Sequence, residues 1–357
     1  GKRNSKPVFA FDAYYGVQET SNKIDLLNAT EYAILKNEAA AANGSTPPFS
    51  NTNLGAGTDW QNEVFSTAPI ENYSLSVRGG TDKSNYSIGG SYFNQEGIVG
   101  GEKSRYSRYN GRLNFSTDLS DRVTFNNTLL YTHEKRKTLP ENGISSVLFN
   151  ALNISPIMSV RDSDGDFTYA NGIGDVINPL AQIENTFNDA RVNKLVGSLG
   201  LDYDINENFT ASVRGGYSYA IVESKVFSPL AYYGAGKAQN TAINANLDRN
   251  QTEVLGQSIF VNNSVAESKT VYFNYNFEAF LNYDRSFGKH DIKGTVGASL
   301  LADMGDNTTG VGYNVPYNSY SFADLSATDP NDLLNNSSSF QYESRLPIIQ
   351  FHTHDNA

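Results

Sequence analysis

Along most of this chain apolar and polar residues alternate one for one, and the alternating runs are joined by connections that are short and long in turn. From Asn110 to Leu119, Gly111, Leu113, Phe115, Thr117 and Leu119 share one side of an extended backbone, and Asn110, Arg112, Asn114, Ser116 and Asp118 share the other. Beyond Ser120 and Asp121, Val123, Phe125, Leu129 and Tyr131 alternate in the same way with Thr124, Asn126, Thr128 and Thr132. A period of two marks strands whose two faces meet different surroundings, and it argues against an amphipathic helix.

Nine strands follow from this pattern: Pro7 to Tyr15, Tyr73 to Gly79, Asn85 to Asn94, Ser104 to Leu119, Arg122 to His133, Arg191 to Ile205, Phe209 to Glu223, Thr270 to Asp284 and Asp291 to Asp303. The facing of the first is ambiguous, because Val8, Ala10 and Tyr14 compete with Phe9, Phe11, Ala13 and Tyr15. Tight turns join the strands at Gly80-Thr81-Asp82-Lys83, Ser120-Asp121, Asn206-Glu207-Asn208 and Gly288-Lys289-His290. The remaining connections are long or glycine-rich, and the one after the fifth strand runs to roughly fifty residues, a length usually tied to function. Helices are predicted within these loops over Thr30 to Ala42, Ser145 to Asn153 and Leu180 to Asn185, the first capped by Asn28 or Thr30 and stopped at Asn43-Gly44.

Tight turns gathered at one rim and long loops at the other are the asymmetry of an up-and-down transmembrane β-barrel. Composition agrees: 39% hydrophobic residues with 22 Tyr and 20 Phe suit half-apolar strands better than a large buried core. No apolar run reaches the 18 residues of a membrane helix, and no signal peptide is present. A formal charge of −11 without clustered Lys and Arg argues against nucleic acid. Cysteine is absent, which removes disulfides, thiolate metal sites and cysteine nucleophiles.

The apolar set, taken as lipid-facing, comprises Leu75, Val77, Ile88, Leu113, Phe115, Val123, Phe125, Leu199, Leu201, Val213, Phe273, Phe277, Leu281, Ile292, Val296 and Leu300. A soluble sandwich with one solvated face is the alternative. Tyr203, Tyr283, Tyr92 and Tyr131 fall near strand ends, either as interfacial girdle residues or simply as good strand formers. The string Ser-Val-Arg-Gly-Gly at Ser76 to Gly80 and again at Ser212 to Gly216 sets Arg78 and Arg214 on the polar side near the short-turn rim. They are candidates for contact with a plug inside the barrel, while shared strand composition explains the repetition without function.

The stretch Asp59 to Val99, DWQNEVFSTAPIENYSLSVRGGTDKSNYSIGGSYFNQEGIV, resembles the barrel of SusC/RagA-type TonB-dependent outer-membrane transporters. Supporting pieces in family order are Ala13 to Gln18, Ile24 to Tyr32, Pro140 to Gly143, Asn178 to Ala181 and Tyr283 to His290. The resemblance covers Gly1 to about Arg345 and implies a barrel of about 22 strands with a plugged lumen. It also implies import of oligosaccharides or peptides, energy from the TonB complex reached through an N-terminal region, and a SusD-like surface lipoprotein over the external loops. The chain is therefore expected to be a partial barrel domain over residues 1–345, an incomplete wall of about nine strands in the outer membrane. Residues 346–357 depart from the family and read as an aberrant or truncated tail, and both ends read as cut from something longer. An open sheet in a bilayer leaves two edges unpaired at several kcal/mol per group, so this polypeptide alone is not expected to insert as a transporter. A surface adhesion or autotransporter-type β-domain that moves no nutrient is the competing function.

Chemistry elsewhere is sparse. Asp162, Asp164 and Asp166 in Asp-Ser-Asp-Gly-Asp resemble a calcium loop, but the following residues break the EF-hand pattern and a solvated turn is the expected reading. His352 and His354 sit in the tail without a third ligand nearby, and His133 and His290 occupy ordinary solvated positions. No nucleophile elbow, P-loop, zincin or dinucleotide motif is present, and neither an enzyme nor a cofactor is expected. Tyr232 and Tyr233, in the loop after the seventh strand, are candidates to stack on sugar rings, though loop tyrosines also pack against neighbouring loops.

Overall fold

The computed structural model describes residues 1–140, 143–170, 174, 176–234, 252–254, 257–259, 263–328, 337–344 and 348–356, with backbone alone described for 252–254, 257–259, 337–344 and 348–356. The side chains of His352 and His354 thus lie outside the described residues. Thirteen strands, four α-helices and three short 3-10 helices are present in this set. Nine long strands form one antiparallel wall in chain order: β1 (Ser5–Gln18), β2 (Ala68–Gly80), β3 (Ser84–Gly97), β4 (Gly101–Ser120), β5 (Val123–Lys137), β6 (Phe187–Asn206), β7 (Phe209–Ser228), β10 (Ser264–Phe287) and β11 (His290–Tyr313). Two short strands, β12 (Ser337–Ser344) and β13 (Ile348–Asn356), pair one above the other along the far edge of β11. A separate hairpin joins β8 (Thr252–Val254) to β9 (Gln257–Ile259). The sheet is not closed.

Each long strand pairs with its sequence neighbours, and register irregularities occur only near strand ends, at Ser5/Val8, Glu96/Gly97, Asp118/Ser120 and Asp204/Asn206. Because side chains alternate with period two, unbroken register passes one face assignment from strand to strand. Phe9 lies opposite Val77 and Phe11 opposite Leu75, so Phe9, Phe11, Ala13 and Tyr15 share the apolar face, and Val8, Ala10 and Tyr14 the polar one. Neighbour choice resolves what the first strand alone left open.

All the apolar residues assigned to lipid fall on that one face. Successive cross-strand partners such as Val77, Ile88, Leu113 and Leu129, or Leu201, Val213 and Ala279, carry it around the wall. Tyr203, Tyr283, Tyr92 and Tyr131 share the same face. Tyr73, Tyr92, Tyr109 and His133 make a continuous row of rings across four strands, with centroids 6.4, 4.8 and 6.1 Å apart. The other face is laced by side-chain hydrogen bonds: Thr132 Oγ1 donates to Asn110 Oδ1 at 3.0 Å, Asn110 Nδ2 to Ser91 Oγ at 3.1 Å, and Asp202 accepts from Asn126 and Ser212 at 2.9 and 2.6 Å. Polar side chains paired with one another tolerate a water-filled or plugged lumen, and they would be costly against hydrocarbon.

The strands reach farther toward the long loops than the alternation indicated. β10 and β11 have 24 residues each, about 80 Å at the rise of a strand, whereas about 10 residues cross a bilayer. Residues 304–313, MGDNTTGVGY, contain poor strand formers, but each is held opposite a residue of β10. Pairing outweighs propensity there.

Above the apolar band, the segment after β11 folds back onto the outward face. Tyr320 stacks on Phe187 with centroids 4.9 Å apart, and Phe227, Val265, Val315 and Ala323 are buried beneath it. Gly310 and Gly312 make this approach possible, since a Cβ at either would meet Leu325 or Thr328 at 2.8 or 2.5 Å. Burial, and then the hydrogen bond to Asp189, push the Tyr320 hydroxyl well above its ordinary range.

The face assignment has a measurable consequence in the assembled barrel. Leu199→Arg, on the apolar face, is expected to lower stability in a bilayer by ~2–4 kcal/mol, and Ser198→Arg, one residue away on the polar face, by less than ~1 kcal/mol. Denaturant unfolding in lipid vesicles reads the difference, and equal losses would show the faces to be reversed or equivalent.

Candidate functional site at the long-loop rim

Two long loops build a shared packed core at the rim opposite the tight turns. The β1–β2 loop contains α1 (Ala29–Ala42) and α2 (Trp60–Val64), and the β5–β6 loop contains α3 (Val147–Asn153) and α4 (Pro179–Glu184). α1 opens with a capping box, in which the Asn28 side chain accepts from Glu31 N and Glu31 accepts from Asn28 N. Its stop is Asn43, followed by Gly44 at φ +71°. Asn37 then ties the helix to the chain ahead through two hydrogen bonds with the Phe49 backbone, at 2.7 and 2.9 Å. α2 was not anticipated, because five residues are too few to show a helical period.

The two loops share a hydrophobic core. Trp60 and Val64 of α2 pack with Val147 and Ala151 of α3, and Leu139, Ile154, Ala170 and Val176 complete the cluster. Phe65 bridges to Val99 in the short β3–β4 connection, so three connections meet there. Trp60 Nε1 donates to Ser155 O at 3.0 Å and Thr58 N donates to Pro156 O at 2.8 Å. Gly57 sits at φ +70°, where a Cβ would lie 2.2 Å from Pro156 O. Only glycine permits both that backbone angle and that approach.

A polar network lies under this core. Asn150 Nδ2 donates to Gln182 Oε1 at 2.7 Å, Ile177 N donates to Asn150 Oδ1 at 3.1 Å, and Gln182 Nε2 donates to Ser145 O at 2.6 Å. Asn150 and Gln182 are both buried, and satisfied buried amides specify one loop arrangement while half-satisfied ones disrupt it. Between the loops, Lys23–Asn28, Tyr32, Trp60, Gln61 and the end of α3 line a cleft of 480 Å³, a size typical of small-ligand pockets. Sequence reading missed this cleft, whose walls come from segments about a hundred residues apart in the chain.

Tyr233 is 3% exposed, packed with Ile177 and Ala181, and burial pushes its hydroxyl up to about 12 against an opposing hydrogen bond with Asn185. Its ring is thus covered, and Tyr232 stands edge-on to Tyr169 at 4.9 Å. Asp162 is consumed locally: its Oδ1 accepts from Asp164 N and Asp166 N, both at 3.0 Å, in a turn where Gly165 takes φ +88°. Among the described residues no three His, Cys, Asp or Glu side chains are grouped to hold a metal ion. Arg78 and Arg214 are exposed on the polar face near the tight turns, and Arg214 lies over the Phe280 ring at 4.9 Å. The loop after β7 beyond Gly234 and most of the connection after Thr328 lie outside the described residues.

A meander with one apolar and one hydrogen-bonding face, tight turns at one rim and folded loops at the other is the wall of an up-and-down transmembrane barrel. In sequence the chain is similar to TonB-dependent receptors: 26% identical over 297 residues to TonB-dependent receptor P3 of Formosa agariphila, and 24% over 265 residues to TonB-dependent receptor SusC of Bacteroides thetaiotaomicron. These alignments cover 81% and 66% of this chain but 26% and 25% of those receptors, and TonB-dependent receptor P26 of Formosa agariphila matches at 26% over 353 residues, 96% of this chain and 32% of that receptor. No family model matches. In fold the chain is similar to the RagAB peptide transporter, with a TM-score of 0.76, 16% identity, and coverage of 96% of this chain and 40% of that one. The RagAB peptide importer in its closed–closed state gives 0.72, 16%, 99% and 39%. The resemblance to SusC/RagA-type TonB-dependent transporters is therefore borne out in sequence and in fold, and the chain spans about a quarter to a third of the length of the curated relatives it matches.

Trp60 is the chain's one tryptophan and is buried in the loop core, so it reports on that core directly. Asn150→Ala leaves Gln182 Oε1 and the Ile177 N–H unpaired, a loss of about 1–3 kcal/mol. The Trp60 emission is expected to shift to longer wavelength at lower denaturant than in the parent. An unchanged transition would show that the network does not hold the loops.

Proposed function

We propose that this chain is part of the barrel of an outer-membrane TonB-dependent importer that takes up oligosaccharides or peptides. The observation that supports it most is the division of the wall into two rims, one of tight turns and one where two loops of nearly fifty residues each fold into a common core. Autonomously packed loops over a polar-walled lumen suit capture of a solute before passage. In this reading a SusD-like surface lipoprotein covers the loop rim, the TonB complex supplies energy through a region N-terminal to this wall, and a plug lies within. Arg78 and Arg214 are the proposed plug contacts, exposed on the lumen side near the tight turns. Tyr232 is the more accessible of the two loop tyrosines for a role at the capture surface.

In the complete protein, deletion of residues 143–185 is expected to reduce energy-dependent uptake to background while heat-modifiable electrophoretic mobility, the mark of an assembled barrel, persists. Uptake at the parent rate would overturn the reading. Arg78→Glu combined with Arg214→Glu is expected to loosen the plug, read as increased protease access and ion leak across vesicles, and unaltered leak and uptake would remove these residues from that role.

A further inference from the structure

Among the described residues, the lumen face holds a group of three cations with one carboxylate beside it. On β4, Arg108 and Arg112 both belong to the polar set, and Lys194 on β6 lies in register with Asn110 between them, with Thr132 of β5 intervening. At about 4.8 Å per strand and 3.4 Å per residue, Arg108 and Arg112 are about 14 Å apart and Lys194 is about 12 Å from each. The three form a triangle between mid-wall and the long-loop rim. Glu134 is the carboxylate beside them by register, and it is ion-paired with Arg136. Arg112 and Lys194 are exposed to the lumen, and Arg108 lies by the Phe93 ring at 5.8 Å with its Nε buried and without a hydrogen-bond partner.

The buried Nε of Arg108 carries a desolvation cost that no hydrogen bond in the wall offsets. In a chain of formal charge −11, three clustered cations beside a single carboxylate, itself bridged to Arg136, make a local field of opposite sign. The centre of the triangle is neutral and hydrogen-bonding, being the ladder of Ser91, Asn110 and Thr132. Its margin is aromatic at Phe93, whose ring also contacts Tyr106 at 6.0 Å. A neutral ladder of two hydroxyls and one amide ringed by cations, with an aromatic ring at its margin, matches an acidic sugar chain better than an acidic peptide, whose amides carry no hydroxyl array.

We propose that Arg108, Arg112 and Lys194 form a binding patch on the inner wall for acidic oligosaccharides, holding carboxylate or sulfate groups as the solute passes from the loop rim. Arg is suited to this because its planar fork takes an oxyanion through two parallel hydrogen bonds. The patch deepens the importer reading by naming its solute class, and equilibrium binding tests it without energised transport, so failure of import would leave the result readable.

The test uses the complete protein in detergent, titrated with an oligogalacturonate hexamer, a sulfated oligosaccharide of the same length, neutral maltohexaose and a hexaglutamate peptide. At least one acidic sugar is expected to bind more tightly than maltohexaose and hexaglutamate, with affinity falling as salt rises. Combined Arg108→Gln, Arg112→Gln and Lys194→Gln is expected to weaken that binding by about tenfold or more, leave maltohexaose unchanged, and be partly rescued by Arg108→Lys with Arg112→Lys and native Lys194. No preference for either acidic sugar, stronger binding of hexaglutamate, or equal loss for neutral and acidic sugars would each overturn the proposal. Preference for the carboxylated or the sulfated probe distinguishes the two sources of negative charge.

Discussion

The ladder of backbone hydrogen bonds between neighbouring strands is the constraint on which the rest of the structure depends. Inside hydrocarbon an unpaired N–H or C=O costs several kcal/mol, so a spanning chain must pair every strand and keep that pairing in register. Here register runs without interruption from β6 to β11 except beside a tight turn, and the irregularities elsewhere also lie near strand ends. A slip of one residue would turn Leu113 and Phe115 inward and Arg112 and Asn114 into lipid. The faces are therefore a property of the whole sheet, and a side chain's surroundings are decided by its parity within it.

This explains which parts of the fold were legible in the sequence. Val123 to Thr132 reads as a strand because its two faces demand different chemistry, and the turn residues at Asn206 to Asn208 interrupt the pattern sharply. β1 did not disclose its facing, since Val8 and Phe9 are both apolar and only Val77 and Leu75 opposite settle the choice. The end of β11 was hidden for a related reason: Asp306, Asn307 and Gly310 are poor strand formers and are held by their partners on β10. α2 and the Gly310–Leu325 contact depend on tertiary packing that local composition does not encode.

The candidate site was less legible than the wall. Trp60 and Val147 are far apart in sequence, and nothing near either announces that they form one core. Tyr233 illustrates the converse problem, because an aromatic residue beside Gly234 reads equally as a ligand platform or as the anchor that fixes its loop. Burial against Ile177 and Ala181 places it among the anchors. The loop helices have caps that could be read, at Asn28, Ser146 and Asn178, since a side-chain oxygen before a helix serves the same backbone donors wherever the helix finally packs.

Charge placement separates the wall's structural needs from its other features. Among the described residues, ion pairs cluster toward the rims: Arg3 with Asp118 and Lys293 with Asp284 near the tight turns, Arg105 with Glu96, Arg136 with Glu134 and Lys225 with Glu267 toward the loops, and Arg161 with Glu184 within one. Such exposed pairs contribute little stability, but they neutralise charges where strands meet water. Arg112 and Lys194 lie deeper on the lumen face, Arg108 is level with Glu134, and hydroxyl and amide side chains already satisfy one another between them. Neutral residues would complete that ladder with less mutual repulsion. Three cations beside one shared carboxylate repel one another in the isolated wall, and a negatively charged occupant of the lumen accounts for them better than the sheet itself.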